Sequence, residues 1–235
     1  MPTKSAIVSP TATRPVAGTF TRALLGCGLL AGPLWVGVVL IQMATRPGFD
    51  IRRHAVSQLS LGDLGWVQMA NFIISGLLVV AFAIGVRRTL ARARGGTWGA
   101  LLLGIYGAGL VGAGMFRADP GNGFPPGTPD VTGQISSHGL MHLIFAAIAF
   151  VSIIAASAIV FARRYRGLAR PGRMAYSIFT GAYFLATWIG LIATGARFAT
   201  VNVAFAIAVL LAWAWLTALA VELVRVAKTG VERLT

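Results

Sequence analysis

The sequence predicts an all-α membrane protein in which six transmembrane helices form one bundle and both termini are cytoplasmic. Hydrophobic residues make up 57% of the 235 residues and charged residues only 11%, whereas a soluble domain carries about 25% charged residues. The hydrophobic residues are concentrated in continuous runs of about 20 residues, the length that crosses a hydrocarbon core of about 30 Å. Because short segments separate these runs, we expect one membrane domain.

The six predicted spans cover residues 22–43, 66–86, 98–116, 138–161, 174–195 and 201–224. They divide the chain into a flexible N-terminal tail (1–21), a six-helix transmembrane domain (22–225) and a C-terminal tail (226–235). Basic residues precede the first span, as they precede a signal peptide core, but its apolar run is longer than the ~7–15 residues of such a core. We therefore predict that it is retained as a helix. Only a tight turn around Arg197 separates the last two spans.

Lys and Arg residues are distributed unequally between the two ends of the predicted spans. Fifteen of the 20 lie at the two chain ends and after the second and fourth spans, while five follow the first, third and fifth spans. The positive-inside rule places the richer side in the cytoplasm. The formal net charge of +14 does not indicate a nucleic-acid partner, because no polar basic domain carries it. Membrane lipids, through their anionic headgroups, are the expected partners.

The predicted spans contain small residues at regular spacing and no charged residue near their centres. Gly28-x-x-x-Gly32 and Gly104-x-x-x-Ala108-x-x-x-Gly112 have the spacing that lets transmembrane helices approach closely, and the second pattern predicts a central third span. No charge is predicted deep in a span, which argues against an ion or proton path. The chain also lacks the matched broken helices of an inverted-repeat transporter.

Two segments on the outer side carry the candidate functional residues. In the first, residues 51–61 mix apolar and polar positions and are predicted to form a short helix on the bilayer surface. The second, between the third and fourth spans, is rich in Gly and Pro and is predicted to be an ordered loop. Within it, Phe124 is expected to fold over the bundle.

The outer side also holds all three histidines. Ser136 or Ser137 is predicted to cap the fourth span, which places His138 and His142 at positions i and i+4 of one helix face. Such a pair can bind one zinc ion, with His54 and Asp119 as the further predicted ligands. A zinc-bound water would then attack an ester or amide near the headgroups. Ser57 is an alternative nucleophile or an oxyanion donor, and Asp119 is a further catalytic candidate. The alternative is a purely structural polar cluster of the same residues.

These loop motifs resemble those of the domain-of-unknown-function family 998 over roughly residues 20–225. The resemblance rests on Arg46-Pro-Gly-Phe-Asp50, on His54-x-x-Ser57-x-Leu59, on Gly123-Phe-Pro-Pro-Gly127 and on Ser137-His138-x-x-x-His142. Members of that family are bacterial integral membrane proteins, most of them with six spans. The resemblance therefore implies a location in the bacterial plasma membrane. It implies no activity. A looser likeness links the same His, Asp and Ser types to intramembrane hydrolases related to alkaline ceramidases and adiponectin receptors, as an analogy only.

Two functions follow from this sequence as hypotheses. The first is a metal-dependent hydrolase of lipid-like substrates, motivated by the placement of every histidine on the side of Asp119. The second is a non-catalytic membrane protein that binds or senses a lipid-like small molecule or serves as an assembly subunit, motivated by the weak metal motif and the missing intramembrane charge.

Overall fold

The computed structural model describes residues 17–130 and 134–229 of the chain. Those ranges contain six helices that are long and apolar enough to cross a membrane, and they contain no β-strand. We number the helices α1 (Thr19–Thr45), α2 (Gly65–Thr89), α3 (Trp98–Met115), α4 (Ser137–Gly167), α5 (Pro171–Thr194) and α6 (Ala199–Thr229). The predicted six-span all-α fold is confirmed.

Helix ends differ from the predicted spans by a few residues. Within α4, residues Ala156–Phe161 form a π-helical segment, and the α-helix resumes after it. Most of the predicted N-terminal tail, residues 1–16, lies outside the described residues, as do residues 230–235 of the predicted C-terminal tail. The described beginning of the C-terminal tail extends α6.

The bundle has two ends with different composition. We call the end that holds the start of α1, the α2–α3 and α4–α5 connections and the end of α6 the basic face, and the opposite end the loop face. The backbone N–H of Ala17 donates to the carbonyl of Ala227 at 3.1 Å. Both described chain ends therefore meet at the basic face, as an even number of spans requires.

Helix α3 lies between α2 and α4 and contacts both through glycines. A methyl group on Gly107 would lie 2.6 Å from the carbonyl oxygen of Gly76 in α2, and one on Gly109 would lie 2.9 Å from the carbonyl of Phe145 in α4. Neither position tolerates a side chain without separation of the helices. The predicted central place of span three is thus confirmed, although Ala108 of the predicted stripe is exposed.

Helices α1 and α2 are joined by a ladder of buried polar side chains near the loop face. Gln42 Nε2 of α1 donates to Gln68 Oε1 of α2 at 2.7 Å, and Asn71 Nδ2 of α2 donates to the Trp35 carbonyl of α1 at 3.2 Å. Within α2, Ser75 Oγ donates to Asn71 Oδ1 at 3.4 Å. Side-chain hydrogen bonds between helices contribute about 0.6–2 kcal/mol each in a membrane. The ladder therefore fixes α2 on α1.

A buried carboxylate organises the basic face. Glu222 of α6 is 5% exposed, and its oxygens accept hydrogen bonds from the Tyr165 hydroxyl at 2.8 Å, from Arg170 Nη1 at 2.8 Å and from Arg173 Nη1. A buried carboxylate needs such partners, because removal of its charge from water is otherwise costly. The three donors come from the end of α4 and the start of α5, so this cluster fixes the α4–α5 connection on α6.

The loop face departs from the prediction of a surface helix over residues 51–61. Only Val56–Ser60 is helical, as a single 3₁₀ segment, and its Gln58, Leu59 and Ser60 are buried. Gln58 Nε2 donates to the carbonyl of Gly121 at 3.1 Å. The surface-helix prediction is wrong because these side chains are used to contact the second loop and the bundle rather than the bilayer.

Phe124 of the second loop is buried, as expected of a residue folded over the bundle. Its ring lies 5.5 Å from the ring of Phe49 and 5.3 Å from that of His54, and the Arg46 guanidinium lies 5.7 Å from its centroid. The same guanidinium donates to the carbonyls of Leu59 and Leu61. These contacts connect both loops over the ends of the helices.

Candidate functional site

An apolar cavity of about 310 Å³ lies in the loop-face half of the described bundle. Its walls come from α3, α4, α5 and α6, residues 51–57 lie over its top, and Trp35 of α1 and Phe72 of α2 contribute to its side. A volume of this size is at the lower end of the range of about 300–1,000 Å³ found for small-molecule sites. The cavity is therefore the candidate binding site.

Apolar residues on α4 and α5 define the open side of the cavity. Leu143 of α4 is 54% exposed and Ile192 of α5 is 66% exposed, and both line the cavity. Closer to the basic face the same helices pack tightly: a methyl group on Gly181 of α5 would lie 2.6 Å from Cβ of Ala158 in α4. The two helices thus close on each other at one end and leave the cavity open at the other.

Four aromatic rings form the inner boundary of this opening. The ring of Phe150 in α4 lies 5.0 Å from Phe184 and 5.4 Å from Trp188, both of α5, and 5.6 Å from Phe205 of α6. Such tilted and edge-to-face contacts are favourable beyond the area they bury. They hold three helices at a fixed spacing beside the cavity.

His142 of α4 lines the cavity. Its Nδ1 lies 2.8 Å from the carbonyl oxygen of Ala113 and 3.1 Å from that of Phe116. Because carbonyl oxygens only accept, Nδ1 carries the proton, and Nε2 of the neutral ring is an acceptor. No described atom forms a hydrogen bond with Nε2, and the residue is 3% exposed. The start of α4 and the end of α3 together hold this ring in place.

His54 also touches the cavity, but both of its ring nitrogens have partners. Nδ1 accepts from the backbone N–H of Asp50 at 2.9 Å, which leaves Nε2 to donate to the carbonyl of Asn122 at 2.9 Å. Asp50 itself is fixed by Arg52, whose side-chain hydrogen bonds lower the pKa of that carboxyl to about 2. His54 therefore connects the two loops and has no free lone pair for a metal.

His138 and Asp119 lie away from the cavity. His138 is exposed, stacks edge to face on Phe116 at 5.6 Å and lines a separate depression with Arg117. Asp119 accepts from the backbone N–H of Ser136 at 3.0 Å and from its Oγ at 2.5 Å. Ser136 is the N-cap of α4, since its Oγ accepts from the N–H of Gly139. Asp119 thus supports the helix start, and of the two predicted caps, Ser136 and Ser137, Ser136 is the one that forms.

The four predicted zinc ligands are consequently not brought together. Across residues 17–130 and 134–229, no group of three or more His, Cys, Asp and Glu side chains is placed to hold a metal ion. His54, His138, His142 and Asp119 all lie at the loop face, but a shared face alone does not make side chains converge. Two of the four have structural partners: His54 connects the two loops, and Asp119 supports the start of α4.

Ser57, the predicted nucleophile, lies on the cavity wall. Its hydroxyl forms no hydrogen bond with a histidine nitrogen or with any other group of the described residues, so the pairing of nucleophile and base that hydrolases use is not formed here. A catalytic role of Ser57 stays a prediction from the sequence.

Three cavity residues were not identified from the sequence. Trp35 lines the cavity, and its buried Nε1–H has no partner among the described residues. Tyr106 is buried beside Trp213, and Asn202 Nδ2 donates to the carbonyls of Arg52 and Ala196 at 2.9 Å each. The available signal was a tryptophan and a tyrosine in mid-span, away from the interfaces where such residues are usually found.

These features define a six-span α-helical membrane protein with an apolar cavity open on one side of its bundle. The chain belongs to the family described as protein of unknown function (DUF998), whose model matches residues 29–222. This match confirms the resemblance seen in the loop motifs. No curated protein and no solved structure matches the chain.

Proposed function

We propose that this protein binds a lipid-like molecule, taken from the surrounding bilayer, in the cavity beneath residues 51–57. The observation that carries the proposal is the apolar opening between α4 and α5, where Leu143 and Ile192 are both exposed and part of the cavity wall. An opening lined by such residues at membrane depth faces acyl chains rather than water. A molecule already dissolved in the bilayer can therefore enter sideways.

The shape and polarity of the site support binding rather than metal-dependent hydrolysis. Ligand sites are mostly apolar with a few placed polar groups, and this cavity combines apolar walls with His142, Ser57 and Tyr106. Hydrolysis by a bound metal would need ligands that converge, and His54 and Asp119 have other partners. A role in lipid binding or sensing fits all of these contacts.

We further propose that the protein lies in the bacterial plasma membrane with its basic face in the cytoplasm. The support is the excess of Lys and Arg at that face, which the positive-inside rule assigns to the cytoplasmic side. The cavity then belongs to the outer leaflet.

Blocking the cavity tests the binding proposal. Ala206 of α6 lines the cavity, whereas Ala214 of the same helix is exposed and does not line it. The full chain in lipid nanodiscs would be irradiated with a diazirine-bearing monoacylglycerol, and labelled peptides would be identified by mass spectrometry. We expect labels on cavity residues such as Phe150 and Val209 in the wild type and in Ala214→Phe, and their loss in Ala206→Phe.

Two outcomes would contradict the proposal. In the first, labels occur only on the lipid-exposed surface of the wild type. In the second, Ala206→Phe and Ala214→Phe reduce the labelling of cavity residues equally. Monodisperse elution and an unchanged unfolding temperature are required of both variants, so that loss of labelling reports occupancy rather than misfolding.

A further inference from the structure

The hydrogen bonds of His142 restrict the chemistry of any group at the loop-face end of the cavity. Nδ1–H is used by the carbonyls of Ala113 and Phe116, so Nε2 is the acceptor nitrogen of the neutral ring. A ligand group that donates a proton to Nε2 would form a hydrogen bond that no described residue provides.

The lack of charged side chains around the cavity also restricts which ligand headgroup can bind there. Within residues 17–130 and 134–229, no Asp, Glu, Lys or Arg lines the cavity. An ionised headgroup in this space would leave water without a counter-charge, which is strongly unfavourable. Carboxylate, phosphate and ammonium headgroups are therefore disfavoured, while uncharged polar groups are allowed.

A second polar side chain lies at the same end of the cavity. Ser57 belongs to the segment over the cavity top, and its hydroxyl has no hydrogen-bond partner among the described residues. A serine hydroxyl both donates and accepts. Tyr106, by contrast, precedes Ala113 by two turns of α3 and lies about 10 Å deeper, at the level of the ligand's apolar part.

We infer that the cavity selects an uncharged, hydroxyl-bearing amphiphile whose O–H donates to Nε2 of His142. A hydroxyl can donate to Nε2 and accept from Ser57 at once, whereas an ester carbonyl or an ether can only accept. The apolar chain then extends past Phe72 and Phe150, with its end toward the opening between α4 and α5. This inference rests on the proposed binding function and specifies the headgroup.

A comparison of two ligands and two histidines tests the inference. Dodecanol and 1-fluorododecane share a chain, and fluorine resembles a hydroxyl in size but cannot donate. Each would compete with the photoreactive monoacylglycerol for labelling of cavity residues in nanodiscs. His142→Asn keeps an N–H for the carbonyls of Ala113 and Phe116 but removes the Nε2 acceptor. His138→Asn, on the same helix outside the cavity, is the matched control.

In the wild type we expect dodecanol to compete roughly three- to tenfold more strongly than 1-fluorododecane, the effect of one net hydrogen bond. We expect this preference to be kept in His138→Asn and to fall to about one in His142→Asn, with competition by 1-fluorododecane unchanged in all three proteins. Dodecanoate and dodecyl phosphate are expected to compete less well than dodecanol, because no counter-charge lines the cavity.

Equal competition by dodecanol and 1-fluorododecane in the wild type would overturn the inference and leave lipid binding in place, and this result needs no variant. A preference that persists in His142→Asn, or stronger competition by dodecyl phosphate, would overturn it as well. If none of the competitors reduces labelling and no cavity residue is labelled, the binding function itself fails and the headgroup inference fails with it.

Discussion

Gly139→Ala is the substitution with the clearest structural consequence at the loop face. Gly139 lies in the first turn of α4, and a methyl group there would lie 1.9 Å from Oδ2 of Asp119, where ordinary contacts begin at 3.4 Å. The carboxylate would have to move by about 1.5 Å, the difference between these distances. Such a shift breaks its hydrogen bonds to the N–H and Oγ of Ser136.

The cost can be worked out from those two bonds. A hydrogen bond to a charged group contributes about 1.5–3 kcal/mol, with the lower value appropriate for the exposed Ser136, so the loss of both amounts to about 3 kcal/mol. Alanine in place of glycine returns up to about 1 kcal/mol of helix propensity. The net loss of about 2 kcal/mol corresponds to a fall of about 4–8 °C in unfolding temperature for a chain of this size.

Thermal unfolding in detergent, followed by size-exclusion chromatography of the surviving protein, measures this fall. Asp119→Ala removes the carboxylate, so Gly139→Ala should not lower the unfolding temperature further in that background. Gly37→Ala, where nothing lies within 4 Å of the added methyl group, is the control and should not destabilise. A wild-type unfolding temperature for Gly139→Ala, or an equal fall in both backgrounds, would refute the reasoning.

Two further predictions concern the basic face and the orientation. Glu222→Gln should lower the unfolding temperature in detergent by several degrees, because Arg170 and Arg173 lose the buried counter-charge that holds them; an unchanged temperature would contradict this. In a Cys27→Ser background, a membrane-impermeant maleimide should label Pro129→Cys but not Ala91→Cys in intact cells, since the loop face is proposed to lie outside. Labelling of Ala91→Cys alone would reverse the orientation.

The helices could be predicted from the sequence because the bilayer sets their length. A run of about 20 apolar residues crosses the hydrocarbon core whatever its neighbours are, and helix ends follow local signals such as the capping by Ser136. The turn between the last two spans was equally local, as Gly195 ends α5 in the left-handed conformation. These features need no knowledge of tertiary contacts.

The site could not be predicted in the same way because it depends on where α3 ends. His138 and His142 share a helix face, but α3 stops at Met115, so only His142 reaches carbonyls of its last turn. His138 lies one turn, about 6 Å, closer to the loop face and meets the ring of Phe116 instead. Spacing along one helix therefore places both histidines near the loop face but does not bring them to the same partners.

The loops show the same limit of a local argument. The apolar positions of residues 51–61 fit a helix on the bilayer surface as well as they fit a buried segment. What decides between the two is the second loop, whose Gly121 carbonyl accepts from Gln58 and whose Asn122 carbonyl accepts from His54. These partners are more than 60 residues away in sequence, so a local sequence pattern cannot predict them.

The cavity follows from an asymmetry in how the helices pack. On the side of α1, α2 and α3, backbones approach through glycines such as Gly76 and Gly107, which leaves no room between them. On the side of α4, α5 and α6, the contacts near the loop face are made by the large rings around Phe150. These large rings hold the three helices apart, and they do not fill the space between the helices on the loop-face side of the rings. A bundle that is closed by glycines on one side and held apart by large rings on the other therefore keeps an internal volume.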